Sequence, residues 1–446
     1  MQIESLKTAG SYSRPSCDGG PDDDQKFDRR RRSTFEKRIC VRLSAEIKKC
    51  PTYQKNTNPN ERRTQMKTQK LNLLLLPVSI LAASIIPALA FSQVSPNVTV
   101  VATGLQGPRG LKFGPDGLLY VAEAGTGGTA DTVGKCPQVS APVGPYHNGN
   151  TSRISRIDPQ GNRTTVASGF PSAVTSQTPP DIIGVADVAF LHGELYALLS
   201  GGGCAHGNAA IPSGIAKIDR SNGSWKVIAD LSSFVTAYPA AYPDPVDAGR
   251  DPDGTFYSLI VHKDRFYAVE ANQGEILSAD TDGKVRRDFD VSAAEGHIVP
   301  TSLAERNGLF YVGSLSIFPI VVDAAQIITL SREDRYYDFA PGLNPDDGKS
   351  GKLKLISSKA GFATIVSTAF GPDGLLYVLE LSAADGYPTP GFGKVVRIRC
   401  DGEIEDVATG LSVPTGMTFG PDGNLYVSNL GAAPAGAGQI VRITVN

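Results

Sequence analysis

The chain has 446 residues, with 43 Lys and Arg against 45 Asp and Glu, and a formal net charge of −2. That balance is unevenly spread: residues 1–65 hold 15 basic and 9 acidic groups, residues 66–90 add two lysines, and the remaining 356 residues hold 26 basic and 36 acidic groups, a net −10. A main region this acidic argues against nucleic acid as a partner, because phosphate recognition needs a basic surface.

Residues 1–65 are polar, with Arg29 to Arg32 in a row and few large apolar side chains. Such a segment cannot bury a core, so we read 1–65 as a disordered extension or a mis-assigned start. At Met66 a short basic stretch begins, followed by an apolar run over 71–86 and then Ala88-Leu89-Ala90. This is the layout of a secretory signal peptide with cleavage after Ala90. An uncleaved signal anchor is the alternative, although the run is short for a membrane span and is broken by Pro77. The expected product, residues 91–446, is secreted or periplasmic and has no membrane span after cleavage.

From residue 95 onward one hairpin recurs. Phe-Gly-Pro-Asp-Gly-Leu-Leu-Tyr-Val stands at 113–121 and 370–378, and Phe-Gly-Pro-Asp-Gly-Asn-Leu-Tyr-Val at 419–427. Pro sets φ for the first central turn position, Asp tolerates the second, and Gly takes the left-handed conformation that follows. The flanks have strand composition. The same Tyr-bearing strand recurs at Tyr196, Tyr267 and Tyr311, each after a turn. Each is followed by a second strand pair, such as 152–158 with 164–167 and 395–398 with 404–408. Six units of four short antiparallel strands, with no helical periodicity between them, predict an all-β, six-bladed β-propeller. The last unit lacks one strand, and residues 97–102 can supply it, closing the ring and removing exposed edges.

The stretch Gly104-Leu-Gln-Gly-Pro-Arg-Gly-Leu-Lys-Phe and its continuation to Gly125 resembles the opening of the ScyD/ScyE family. So do Val299-Pro-Thr-Ser-Leu with Tyr311-Val-Gly-Ser-Leu, and Val413-Pro-Thr-Gly-Met with Leu425-Tyr-Val-Ser-Asn-Leu-Gly431. The resemblance spans residues 95–446. It implies an exported propeller of the kind encoded beside the synthesis of scytonemin, an aromatic pigment, and most such proteins have no assigned role. One departure is the second blade, which opens Gly184-Val-Ala-Asp-Val where a Pro-His pair before the Asp is expected.

Propeller topology puts all the Gly-Pro-Asp-Gly-type turns on one face, together with the short turns between third and fourth strands. The opposite face then carries the long segments 123–150, 201–213, 232–253, 315–325, 339–363 and 382–393. Long loops on a rigid scaffold are where binding usually sits. Nearest the channel on that face we expect Arg109, Glu123, Asp187, Glu270, Asn272, Thr301, Glu380, Thr415 and Asn429. Of these, Arg109, Glu123, Asn272, Thr301, Glu380, Thr415 and Asn429 are candidate ligand contacts. Glu123, Glu270, Asn272, Glu380 and Asn429 could hold a hard cation such as Ca²⁺. The bland reading of the same residues is that they hydrogen-bond neighbouring blades and ordered water. His147, His206 and His297 share the face without ligand spacing, whereas His192 and His262 belong to short turns on the other face and should be exposed.

Two function classes follow. One is an exported binding module that holds a small molecule, glycan or protein on the long-loop face. The other is an exported enzyme, either a metal-dependent lactonase or esterase or a protein assisting an oxidative step on an aromatic precursor. The enzyme needs three or more oxygens converging on one point. The binding module needs an apolar or aromatic floor, for which Phe318, Tyr238, Tyr242 and Tyr387 are candidates. No Gly-x-Ser-x-Gly, His-Glu-x-x-His or phosphate-cradling sequence is present. Of the cysteines beyond the leader, Cys136 and Cys204 fall in long loops of adjacent blades, and Cys400 in a short turn on the other face. This predicts a Cys136–Cys204 disulfide with Cys400 free.

Overall fold

The computed structural model describes residues 93–241, 250–332 and 353–445. The leader, the signal segment and Tyr242 lie outside them. Strands dominate, and they form six antiparallel sheets, five of four strands and one of five. The innermost strands are Pro108–Phe113, Val185–Leu191, Phe256–His262, Pro300–Arg306, Ile365–Phe370 and Gly416–Phe419. Each packs beside the next, and the sixth returns to the first, so the sheets form a closed ring of six blades. The expected closure is present. Val98–Leu105 pairs antiparallel with Gly438–Ile443, Val98 opposite Ile443 and Leu105 opposite Gly438, so the first and last strands share blade 6. Asn97 locks the seam by donating from Nδ2 to the carbonyls of Val407 (3.0 Å) and Thr444 (3.1 Å).

The repeated hairpin supplies the glue between blades. In the three Gly-Pro-Asp-Gly copies the Asp caps its own turn and accepts from the Tyr hydroxyl four residues on: Tyr120 to Asp116 at 2.8 Å, Tyr377 to Asp373 at 2.9 Å, Tyr426 to Asp422 at 3.0 Å. The first Gly is needed because a Cβ at Gly114 would sit 2.6 Å from the Tyr120 ring. The tyrosine then packs on an aromatic ring of the next blade. Tyr120–Phe190, Tyr196–Phe266, Tyr267–Phe310, Tyr311–Phe370, Tyr377–Phe419 and Tyr426–Phe113 have centroids 4.6–5.1 Å apart, one pair at each of the six blade junctions. Each pair adds roughly 0.5–1.5 kcal/mol beyond its buried area.

Four sequence expectations need correction. Two short helices, Leu231–Ala237 and Val291–Glu295, interrupt the strands. They are too short to show a period, and each is capped by an Asp, Asp230 or Asp290, that accepts from a first-turn amide. Residues 353–362 are not loop but the outer strand of blade 4, with Leu353 opposite Arg332. The connection between those two residues therefore leaves from the short-turn face, and chain growth is not confined to one face. His262 is nearly buried, its ring against Tyr267 and Phe310 and its Nδ1 3.1 Å from Glu305. Its short turn folds inward because the rings on either side offer an apolar slot, whereas His192 is exposed as expected. Finally, the Cys136–Cys204 disulfide is present, with Cα atoms 6.3 Å apart, but Cys400 is also disulfide-bonded. The expectation of a free Cys400 counted only the cysteines of residues 91–446.

Candidate functional site

The polar residues that sequence placed around the channel fall into two structural sets. The first closes individual blades. Glu123, Glu270, Glu380 and Asn429 end the second strands of blades 1, 3, 5 and 6 and accept from the loop that enters their own innermost strand. The donors are the amides of Gln106 (2.7 Å), Thr255 (2.9 Å), Ala363 (2.7 Å) and Ser412 (2.8 Å). Glu123 is also held by Arg153 at 3.3 Å and Arg163 at 3.4 Å, and Glu380 by Lys394 at 3.5 Å. Glu270 takes further amides from Asn272, Gln273 and Gly274. Burial, with Glu275 behind it, pushes its carboxyl up to about 8 against the pull of those amides. Asn272 accepts from the Asp251 amide at 2.7 Å.

The second set ties blade to blade. Thr301 donates to the carbonyl of Ile365 in blade 5, and Thr415 to that of Pro108 in blade 1, both at 2.5 Å. Asp187 accepts from the Leu259 amide of blade 3 at 2.8 Å. On its other side it packs against Gly110 of blade 1, where a Cβ would lie 2.0 Å from its Oδ1. Burial raises the Asp187 carboxyl.

Glu123, Glu270, Asn272, Glu380 and Asn429 are thus spread over four blades and are not brought together as a calcium site. Among the described residues no three His, Cys, Asp or Glu side chains are grouped to hold a metal. The melting temperature should therefore not move across millimolar calcium or on adding EDTA; a rise with calcium would reveal a site elsewhere by mass action.

Convergence occurs instead at two other places on the long-loop face. In five blades a register shift follows the first residue of the innermost strand, with the bulge at Arg109, Ala186, Tyr257, Thr301 and Val366. Bulges re-aim side chains. Arg109 turns toward Asp181, Nη2 to Oδ1 at 3.2 Å, and also donates to the Ile182 carbonyl at 2.5 Å. Tyr257 is coupled to the same Asp181 and Arg109, and burial pushes its hydroxyl up to about 12. Beside them Tyr146, from the long loop of blade 1, lies edge-on to His206, ring centroids 4.9 Å apart.

His206 is fully buried, and both ring nitrogens are engaged: Nδ1 with the Gly202 carbonyl at 2.7 Å and Nε2 with Asp251 Oδ2 at 2.6 Å. It is a brace, with no nitrogen left to bind a metal or move a proton. His147, His206 and His297 form no group. Asp251 also accepts from Thr255 Oγ1 at 2.7 Å.

The second place is apolar. Phe318 and Tyr387, from loops of blades 4 and 5, face each other with centroids 6.4 Å apart and planes within 28°. They are 40% and 70% exposed, and Ile317, Val321 and Phe392 around them are exposed as well. The two loops are pinned by a bridge, Ile320 N to Gly386 O at 2.5 Å and Gly386 N to Ile320 O at 2.9 Å, and by Val322 N to Asp385 at 2.9 Å. A cavity of about 360 Å³ opens beside Phe318, lined by His297, Ile298, Ser314 and Val321. Tyr238 packs on Phe234, apart from this patch.

Sequence reasoning placed Arg109, Phe318 and Tyr387 but missed Tyr146, Asp181, Asp251 and Tyr257. Tyr257 was findable, since it holds in blade 3 the position Arg109 holds in blade 1. Tyr146 and Asp181 sit in insertions, which carry no repeat to align.

No family model matches the chain, and no curated protein does. Solved structures resemble it. A gluconolactonase from Xanthomonas campestris is 11% identical, with TM-score 0.43 over 78% of this chain and 89% of that one. The PQQ-bound aldose sugar dehydrogenase of Streptomyces coelicolor is 14% identical, with TM-score 0.44 over 80% and 99%. Virginiamycin B lyase from Staphylococcus aureus is 17% identical, with TM-score 0.40 over 78% and 85%. The likeness is one of propeller fold, which the six-sheet ring establishes independently.

Proposed function

We propose that this chain is an exported propeller that binds a planar, largely apolar small molecule on its long-loop face. The observation that carries this reading is the Phe318–Tyr387 pair: two near-parallel, half-open rings on loops fixed by a cross-blade bridge. Exposed apolar patches mark interaction sites more often than accidents, and a pocket of about 360 Å³ is within the range that holds small ligands. The resemblance to the ScyD/ScyE family supports an aromatic ligand of pigment type. The disulfide fits an oxidising compartment, and among the described residues no helix is long and apolar enough to cross a membrane. The lactonase alternative lacks support in this chain, because its candidate metal ligands lie in separate blades.

Naphthol, as a planar probe, should bind the purified protein in a fluorescence titration. Phe318→Ala and Tyr387→Ala should each weaken it by about tenfold, while Tyr387→Phe should retain it. Binding indifferent to both alanine variants, or none at all, would rule the reading out.

A further inference from the structure

Arg109, Asp181, Tyr257 and Tyr146 come from different pieces of chain: the innermost strands of blades 1 and 3, the turn before the extra strand of blade 1, and the long blade 1 loop. Their bonding capacity is largely unspent. Arg109 uses only Nη2, leaving Nε and Nη1 without a hydrogen bond. Asp181 uses only Oδ1, which accepts from Arg109 and from the Ile182 amide. Neither tyrosine hydroxyl has a hydrogen-bond partner among the described residues. Tyr146 is only 6% exposed, and a hydroxyl that deeply placed without a partner is a costly exception in a native fold. Its ring is fixed by His206, so the hydroxyl cannot swing away to find one.

We propose that these four residues form a second binding site, at the long-loop mouth of the channel, for a neutral polyhydroxylated small molecule.

The charge balance selects neutrality. Arg109 is cancelled by Asp181, and His206 by Asp251, which leaves Asp253 as the residual charge behind the tyrosines. An anion would meet that charge and the Asp181 carboxylate, whereas a cation would meet Arg109 in front. A polyol can both donate and accept at adjacent carbons, which matches the free Asp181 Oδ2, the Arg109 N–H groups and two hydroxyls that do both. The phenols stay protonated, since burial and then Asp251 and Asp181 hold Tyr146 well above its ordinary range. This site is independent of the apolar patch on blades 4 and 5.

The test is calorimetric titration of the purified chain with glucose, trehalose and gluconate. We expect a neutral sugar to bind and gluconate to bind at least about tenfold more weakly. Tyr257→Phe and Tyr146→Phe should each weaken sugar binding several-fold while leaving the circular dichroism spectrum unchanged. Phe318→Ala should leave sugar binding intact and remove only naphthol, so failure of this site and failure of the apolar patch are separately visible. Gluconate binding as well as glucose, sugar binding unchanged in both Tyr→Phe variants, or binding of no polyol at all because water alone fills the mouth, would each overturn the proposal.

Discussion

Replacing both Cys136 and Cys204 with serine is expected to cost about 4 kcal/mol, the chain entropy released when a closure of this length is opened. The bridge spans 68 residues of sequence and joins the long loops of blades 1 and 2. For a propeller of this size that corresponds to a fall in melting temperature on the order of 5 °C. Reductant cannot make this measurement, because Cys400 is disulfide-bonded too. The double variant can. The loops have other ties: Thr132 Oγ1 donates to the Cys204 carbonyl, and Asn148 Nδ2 donates to the carbonyls of Gly201 and His206, both at 2.8 Å. If those suffice, the variant will melt within about a degree of the wild type and the entropic argument fails.

The second large effect lies at His206. Removing one partner of a buried, hydrogen-bonded ion pair costs about 3–5 kcal/mol, because the other charge stays buried alone. His206→Gln and Asp251→Asn should each destabilise by that order in urea unfolding. The double change His206→Leu with Asp251→Leu should cost less than the two singles summed, since it strands no charge. The pH dependence has a definite sign. Burial alone would lower the His206 pKa, but the Asp251 charge and hydrogen bond outweigh it and the net shift is upward. Burial would raise Asp251, but His206 holds it below the ordinary carboxylate range. The imidazolium's contribution is therefore whole below about pH 6.5 and is lost as pH rises through the higher folded value. The carboxylate's contribution is whole above about pH 3.9 and is lost as pH falls through the lower folded value. The stability gap between wild type and His206→Gln should accordingly be widest between about pH 4 and 6.5 and narrow toward pH 9. A gap that widens with alkali would show that His206 is not held as a cation.

Much of this molecule was legible as repetition. The Phe, Asp, Gly and Tyr of the hairpin recur because each makes the same local bond and the same contact with the next blade, so spacing alone exposed six blades and the closing strand. Pairing Cys136 with Cys204 followed from adjacent loops on one face. The candidate sites were less legible. Glu123, Glu270, Glu380 and Asn429 looked like a convergent set because they share a blade position, yet a shared position in a ring of blades repeats a local bond instead of building a common site. The residues that do converge, Tyr146, Asp181 and Tyr257 with Arg109, come mainly from insertions and one bulge.

The sequence by itself determined the blade count, the closure and which turns are short, because strand alternation and turn chemistry act over a few residues and repeat. Only the tertiary structure decided which polar groups are spent on holding blades together and which are left to meet a ligand. That choice depends on where a long loop folds back over the channel, as at Tyr146 on His206 and Phe318 on Tyr387, and on the hydrogen-bond partners it finds there, which no local pattern records.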